Sequence, residues 1–157
     1  MDFGKITASG KDWSQIQAGD RVEVKRKVIL RDIFAYLGAA DDYNPIYLKE
    51  SYAAQTGYGQ VIVPAGLIVS WLSALISTEL PGPGSVMKEM RISFPETFHP
   101  EKEIFLLLKV SHKCQTDKTI TLQALVTGNQ RTIAEGEIVV LPPQPLRPIF
   151  HNVFDNF

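Results

Sequence analysis

From Arg21 to Val28 apolar and polar residues alternate, with Val22, Val24 and Val28 on one side and Arg21, Glu23, Lys25 and Lys27 on the other. That period of two predicts a half-buried strand. Leu30 to Ala40 carries Ile33, Phe34 and Leu37 at helical spacing and predicts a short helix. Asp41 to Pro45 cannot continue it, because Pro45 pushes Asn44 out of the α region. Lys49 to Thr56 reads as one or two helical turns ending at Gly57, and Tyr58 to Val63 as a loop or extended piece.

A long helix follows, from Pro64 to about Thr78. Proline suits a first turn, where its missing N–H costs nothing. Leu67, Ile68, Val69, Trp71, Leu72, Leu75 and Ile76 surround the axis almost completely, so this helix has to be wrapped by something. Pro81-Gly82-Pro83-Gly84 stops it, and the pattern then changes to strands. Val86 to Phe94 ends in alternation, with Met90, Ile92 and Phe94 against Arg91 and Ser93. Glu103 to Val110 is rich in leucine and isoleucine. Thr119 to Thr127 alternates most cleanly, with Ile120, Leu122, Ala124 and Val126 on one face. Arg131 to Leu141 is a last strand, and the Gln115–Lys118 and Gly128–Gln130 connections are short enough for hairpins. One strand, helical pieces, one greasy helix and then four strands in a meander indicate an α+β fold, with a twisted antiparallel sheet around the helix. A single sheet leaves part of such a helix uncovered, and a second copy of the chain would supply the cover.

The sequence beyond Leu141 differs in kind. Pro142, Pro143, Pro145 and Pro148 make an extended arm, and Ile149, Phe150, Val153, Phe154 and Phe157 follow at helical spacing. The expected organisation is therefore one domain over residues 1–141 and a Pro-rich arm with an aromatic tail over residues 142–157. The tail covers the domain's own surface or docks onto a partner. At the other end, residues 1–18 are mixed and polar, with Trp13 as an anchor.

Composition narrows the classes of function. Sixteen basic and seventeen acidic residues leave a net charge of −1, which argues against nucleic-acid binding. A single cysteine, Cys114, excludes an internal disulfide framework, and His99, His112 and His151 show no metal-ligand spacing. Val61 to Ile76 is the greasiest stretch, but at about sixteen residues with Pro64 and Gly66 inside it falls short of the roughly twenty that a membrane span needs. With no signal-like N-terminus, the expected location is the cytoplasm. The basic stretch Arg21, Lys25, Arg26, Lys27 and Arg31 is diluted by Asp20, Glu23 and Asp32 and reads as a solvated face.

Candidate chemistry sits in Asp41-Asp42-Tyr43-Asn44-Pro45-Ile46-Tyr47, a segment that is also rich in turn formers. Together with Tyr52-Ala53-Ala54, Thr56-Gly57-Tyr58, Val61-Ile62-Val63, the greasy helix, Leu80-Pro81-Gly82-Pro83-Gly84-Ser85 and Gly136-Glu137-Ile138-Val139-Val140, this segment resembles the MaoC-like family. That family contains (R)-specific enoyl-CoA hydratases and related thioester dehydratases. The resemblance runs from about Arg21 to Leu141. It implies the hot-dog fold, a sheet wrapped around one long buried helix and paired into a dimer, in agreement with the element order above.

The resemblance also implies a site. Active members read Asp-x-Asn-Pro-x-His, which places Asp42 at the catalytic aspartate and Asn44 at the asparagine. The histidine position is held by Tyr47. Histidine exchanges protons near neutrality because its pKa lies near 6.5, whereas a phenol at about 10 donates a hydrogen bond but is a poor base. Asp41 stands where the family usually has glycine, and Val63-Pro64-Ala65-Gly66 where it has Val-His-Gly. Backbone N–H groups at this helix start hold the thioester carbonyl in the family, and Ala65 and Gly66 are the candidates here.

The reading is thus a hydratase or dehydratase of 2-enoyl/3-hydroxyacyl thioesters, carried by coenzyme A or a carrier protein, with no cofactor beyond the thioester and no metal. The alternative is a non-catalytic thioester-binding subunit. Asn44-Pro45-Ile46-Tyr47, Gly57-Tyr58-Gly59 and Val63-Pro64 resemble the branch that forms the binding half of two-subunit dehydratases. A homodimer, or a heterodimer with another hot-dog subunit, is the expected assembly. A purely structural interaction module is a third class, kept open by the aromatic tail.

Overall fold

The computed structural model describes residues 10–145. Strand β1 (Arg21–Lys27) leads into helix α1 (Leu30–Ala40) and two single-turn helices, α2 (Pro45–Leu48) and α3 (Glu50–Ala53). The long helix α4 (Ala65–Thr78) comes next, then β2 (Val86–Ser93), β3 (Glu103–Lys113), β4 (Ile120–Gly128) and β5 (Arg131–Leu141). All pairings are antiparallel, in one five-stranded sheet of order β1-β3-β4-β5-β2.

The α+β reading and the wrapped helix hold. The four-strand meander does not: only β3, β4 and β5 follow one another, and β2 lies beyond β5 rather than beside β3. The connections explain this. The β4–β5 turn is tight, with Asn129 and Gln130 both at positive φ. The β2–β3 link, by contrast, is a long loop containing Pro95 and Pro100, which no hairpin requires. Gly136 lets β2 close against β5, since a Cβ there would stand 2.9 Å from the backbone carbon of Arg91 and from Ile92 Cα. Strand β3 runs to Lys113 rather than stopping at Val110, because a bulge between Val110 and His112 absorbs the break in alternation.

One face of the sheet makes the core. Ile104, Leu106, Leu108 and Val110 of β3 are buried, as are Ile120, Leu122, Ala124 and Val126 of β4 and Ile138 and Val140 of β5. They meet Leu67, Ile68, Trp71, Leu72 and Ile76 of α4 in one cluster. Each such side chain contributes about 1.5–3 kcal/mol on leaving water. The single sheet leaves one side of helix α4 uncovered, in line with the expectation from sequence. Ser70, Ala74 and Ser77 face outward, and Val69 and Leu75 are half-buried. Small residues fill that outer side, so little apolar surface is exposed along it. Pro64 lies just outside the helix as its N-cap rather than in the first turn.

Helix α1 docks through Ile33 and Leu37, while Phe34 is 51% exposed and takes no part in the core. Trp13 is the anchor expected for the N-terminal segment. Its Nε1 donates to the Thr119 carbonyl at 3.2 Å, and the ammonium groups of Lys113 and Lys118 lie 4.0 and 4.2 Å from its ring. Pro142 to Pro145 leave the sheet without further strand. The aromatic residues of the tail, Ile149, Phe150, Val153, Phe154 and Phe157, lie outside the described residues, as does His151.

Candidate active site

The end of α1 sets the first candidate group. Asp41 closes the helix in the left-handed region, at φ 51° and ψ 37°, with its N–H returned to the Leu37 carbonyl. That conformation favours glycine, and aspartate is one of the few other residues that enters it readily. The Asp42 N–H also donates to Leu37, at 3.0 Å. The chain then turns on side-chain bonds: Asp42 Oδ1 accepts from the Asn44 N–H at 3.0 Å, and Asn44 Oδ1 from the Ile46 N–H at 3.2 Å. Asn44 is thus the N-cap of α2, and Pro45 is the first residue of that helix.

Helix α2 is a single turn, but it is tied down. Ile46 is buried with Ala53, Val61 and Ile62, and the Ile46 carbonyl accepts from the Ile62 N–H at 3.3 Å. That bond joins α2 to the segment entering α4. A second tie comes from below, where the Val63 N–H donates to the Phe98 carbonyl at 2.7 Å and His99 Nδ1 lies 2.9 Å from the Val61 carbonyl. His99 therefore braces the entry to α4.

Tyr47 is carried inward by this arrangement. It is half-buried and packs against both the main core and the small cluster around Ile46. Burial first, and then the nearby charge of Asp42 and the phenols of Tyr36 and Tyr58, push the Tyr47 hydroxyl above its ordinary value of 10. The side chain is neutral at physiological pH and keeps an O–H that can donate a hydrogen bond. Asp42 and Tyr47 are thus electrostatic neighbours, whereas Asn44 is exposed and its side-chain oxygen is engaged in capping.

The start of α4 completes the constellation. Pro64 provides no side-chain cap, and the first bond of the helix is the Leu67 N–H to the Pro64 carbonyl at 3.1 Å. The N–H groups of Ala65 and Gly66 precede any intrahelical acceptor, so they and the helix dipole are available to an anionic or carbonyl oxygen. Tyr36 leans on Gly66, and a Cβ at Gly66 would lie 2.6 Å from Tyr36 Cζ and collide with the hydroxyl. The sequence reading did not single out Tyr36, and it named Tyr58 only within the segments that carry the resemblance. The available signal was helical spacing, since Tyr36 sits beside the buried pair Ile33 and Leu37 on α1. Among the described residues no group of three or more His, Cys, Asp or Glu could hold a metal ion, and no helix is long and apolar enough to cross a membrane.

Known proteins share this architecture. The chain is similar to the (R)-specific enoyl-CoA hydratase of Rhodospirillum rubrum, 24% identical over 131 residues, 83% of this chain and 91% of that protein. It is 25% identical over 130 residues to the (R)-specific enoyl-CoA hydratase of Aeromonas caviae, covering 81% and 96%. Among solved structures, R-hydratase PhaJ1 from Pseudomonas aeruginosa superposes with a TM-score of 0.79 at 23% identity, over 89% of this chain and 96% of that one. A MaoC-like dehydratase from Rhodospirillum rubrum gives 0.70 at 19% identity, over 87% and 100%. The ChsH1-ChsH2 complex from Mycobacterium tuberculosis gives 0.73 at 12% identity, over 80% and 98%. The fold is the hot dog. The FAS1-like dehydratase domain region matches residues 14–138, and the chain belongs to that family.

Proposed function

We propose that the chain is a hydratase or dehydratase of 2-enoyl/3-hydroxyacyl thioesters, with the thioester carbonyl at the start of α4. The observation that carries this reading is the uncapped N-terminus of α4, where Gly66 meets Tyr36, a phenol that adds to burial and Asp42 in raising the Tyr47 hydroxyl. In hydration, water attacks C3 of the enoyl group and the electrons of the double bond move toward the carbonyl oxygen. Donors aimed at that oxygen stabilise the developing charge, and the N–H groups of Ala65 and Gly66 supply them. Asp42 takes the proton from water and returns it to C2. Tyr47, kept neutral, donates a hydrogen bond. No further cofactor enters this chemistry, and the cytoplasm is the location that suits it.

A second reading is favoured by one residue. Tyr47 cannot act as a base near neutrality, so the chain also suits the role of a thioester-binding subunit whose catalytic pair sits on a partner. The names of the superposed structures include a two-protein complex, ChsH1-ChsH2. We take a homodimer or a heterodimer with another hot-dog subunit as the working assembly. Light scattering at micromolar concentration should show no stable monomer.

The test common to both readings is ligand stabilisation. A short or medium enoyl-CoA that binds only the native state should raise the melting temperature. The absence of a shift at every chain length would remove the thioester reading in both forms. Loss of the enoyl absorbance of crotonyl-CoA then separates an enzyme from a binding subunit.

A further inference from the structure

The Tyr36 hydroxyl occupies the space that a side chain at position 66 would fill, directly beside the first turn of α4. Tyr36 is half-buried, and no described residue makes a hydrogen bond to its hydroxyl. The ring also lines a groove of about 340 Å³ between α1 and α4, together with Arg26, Asp32, Leu67, Ser70 and Trp71. At the far end of that groove the Arg26 guanidinium stacks 4.4 Å from the Trp71 ring and pairs with Asp32 at 3.2 Å, so its charge is already engaged. What lies at the N-terminal end of α4 is therefore an unengaged phenolic O–H close to the unengaged backbone N–H groups of the first turn.

We propose that Tyr36 is a second kind of donor to the thioester carbonyl oxygen, its hydroxyl acting alongside the N–H groups of Ala65 and Gly66. The inference rests on the thioester reading and deepens it. A neutral phenol is a good hydrogen-bond donor, and it belongs to the set of side chains that serve oxyanion sites. Glycine at position 66 has a specific purpose in this account, because any Cβ would drive the hydroxyl away from the helix start. Tyr47 is the other half-buried phenol in the constellation, but it sits on α2 with Asp42 as its electrostatic neighbour, and the three atoms nearest a Cβ at Gly66 all belong to Tyr36.

The test compares two ligands that differ at the carbonyl: butyryl-CoA and its thioether analogue S-butyl-CoA, which lacks that oxygen. Calorimetric titration of the wild type should favour butyryl-CoA. Tyr36→Phe keeps the ring and removes the donor, so affinity for butyryl-CoA should fall by roughly three- to tenfold, the usual worth of one hydrogen bond, while S-butyl-CoA is unaffected. Gly66→Ala should displace the hydroxyl and give the same selective loss by a different route. An equal loss for both ligands in either variant means that Tyr36 only shapes the groove, and it overturns the proposal. So does unchanged butyryl-CoA affinity in Tyr36→Phe. A wild type that binds neither ligand overturns the thioester reading itself, and the role of Tyr36 falls with it.

Discussion

Replacing Tyr47 by histidine tests the candidate site where it departs most from the active pattern. A phenol with an ordinary pKa of 10 is ionised to about one part in a thousand at pH 7, and the surroundings of Tyr47 push it further toward the neutral form. An imidazole with a pKa near 6.5 is mostly unprotonated at that pH. The gain in available base is thus on the order of 10³-fold. Imidazole is also the weaker base by about 3.5 pKa units, and Brønsted behaviour returns roughly half of the logarithm of the gain. The net expectation is an increase in crotonyl-CoA turnover of about 10- to 10²-fold, at or below the roughly 10²-fold lower bound of what general acid–base assistance usually provides. The increase should titrate with a single group near pH 6.5, adjusted upward by the charge of Asp42 and downward by burial. The smaller ring leaves space where Tyr47 meets the two clusters, and a loss of a few degrees in Tm should accompany the change. A folded Tyr47→His protein that binds enoyl-CoA and gains nothing would refute the reasoning and put the binding-subunit reading first. A wild type that turns over briskly, with Asp42→Asn no slower, would show that the site lies elsewhere.

Asp41→Gly should change stability by no more than about 0.5 kcal/mol in thermal melts, because aspartate enters the left-handed region at less than the usual cost of about 1–2 kcal/mol and the extra freedom of glycine in the unfolded chain offsets the relief. Gly136→Ala should cost about 1–3 kcal/mol, or roughly 2–12 °C in Tm, because the added methyl meets the Arg91 and Ile92 backbone rather than a side chain that can move. On the acid side, the Ser14 hydroxyl bonded to Asp12, the Gln17 N–H on Asp20 and the Lys27 ammonium on Glu101 each hold a carboxyl below its ordinary value. Their contribution is complete above the unfolded values near pH 4 and disappears as pH falls through the lowered ones, so Tm should drop below about pH 4, with a shallower slope in Asp20→Asn. On the alkaline side Tyr47 works with the opposite sign. Its raised value contributes stability that is whole below about pH 10 and is lost as pH rises beyond it, and Tyr47→Phe should remove that dependence.

Strands whose alternation is clean, such as Ile120 to Val126, were legible because burial of one sheet face writes a period of two into the chain. So was the extent of α1, whose limits follow from the apolar spacing and the proline that follows it. The position of β2 beside β5 was not legible, since periodicity reports which residues face the core and not which strand lies next door. The outward side of α4 was only partly legible: Val69 and Leu75, counted in the apolar ring around the axis, are half-buried rather than enclosed. In the candidate site, Asp42, Tyr47 and the start of α4 were named from sequence through the family resemblance of short motifs. Tyr36 was missed because its partner, Gly66, is distant in sequence and marks the contact only by lacking a side chain. The glycine-to-aspartate departure at position 41 looked chemical from sequence, whereas its conformation gives it a backbone explanation.

The sheet order carries a consequence for how the chain is assembled during synthesis. Strand β1 has no hydrogen-bonded neighbour until β3 emerges, and β2 has none until β5, the last strand, is complete. Helix α4 and the candidate site lie between these two waiting edges. The three strands that can pair as they appear, β3, β4 and β5, are the most local part of the fold and come last in the chain. The greasy face of α4 is therefore exposed for most of the time the ribosome needs to finish the chain, and this small domain carries the aggregation risk of a much larger one until its final strand arrives.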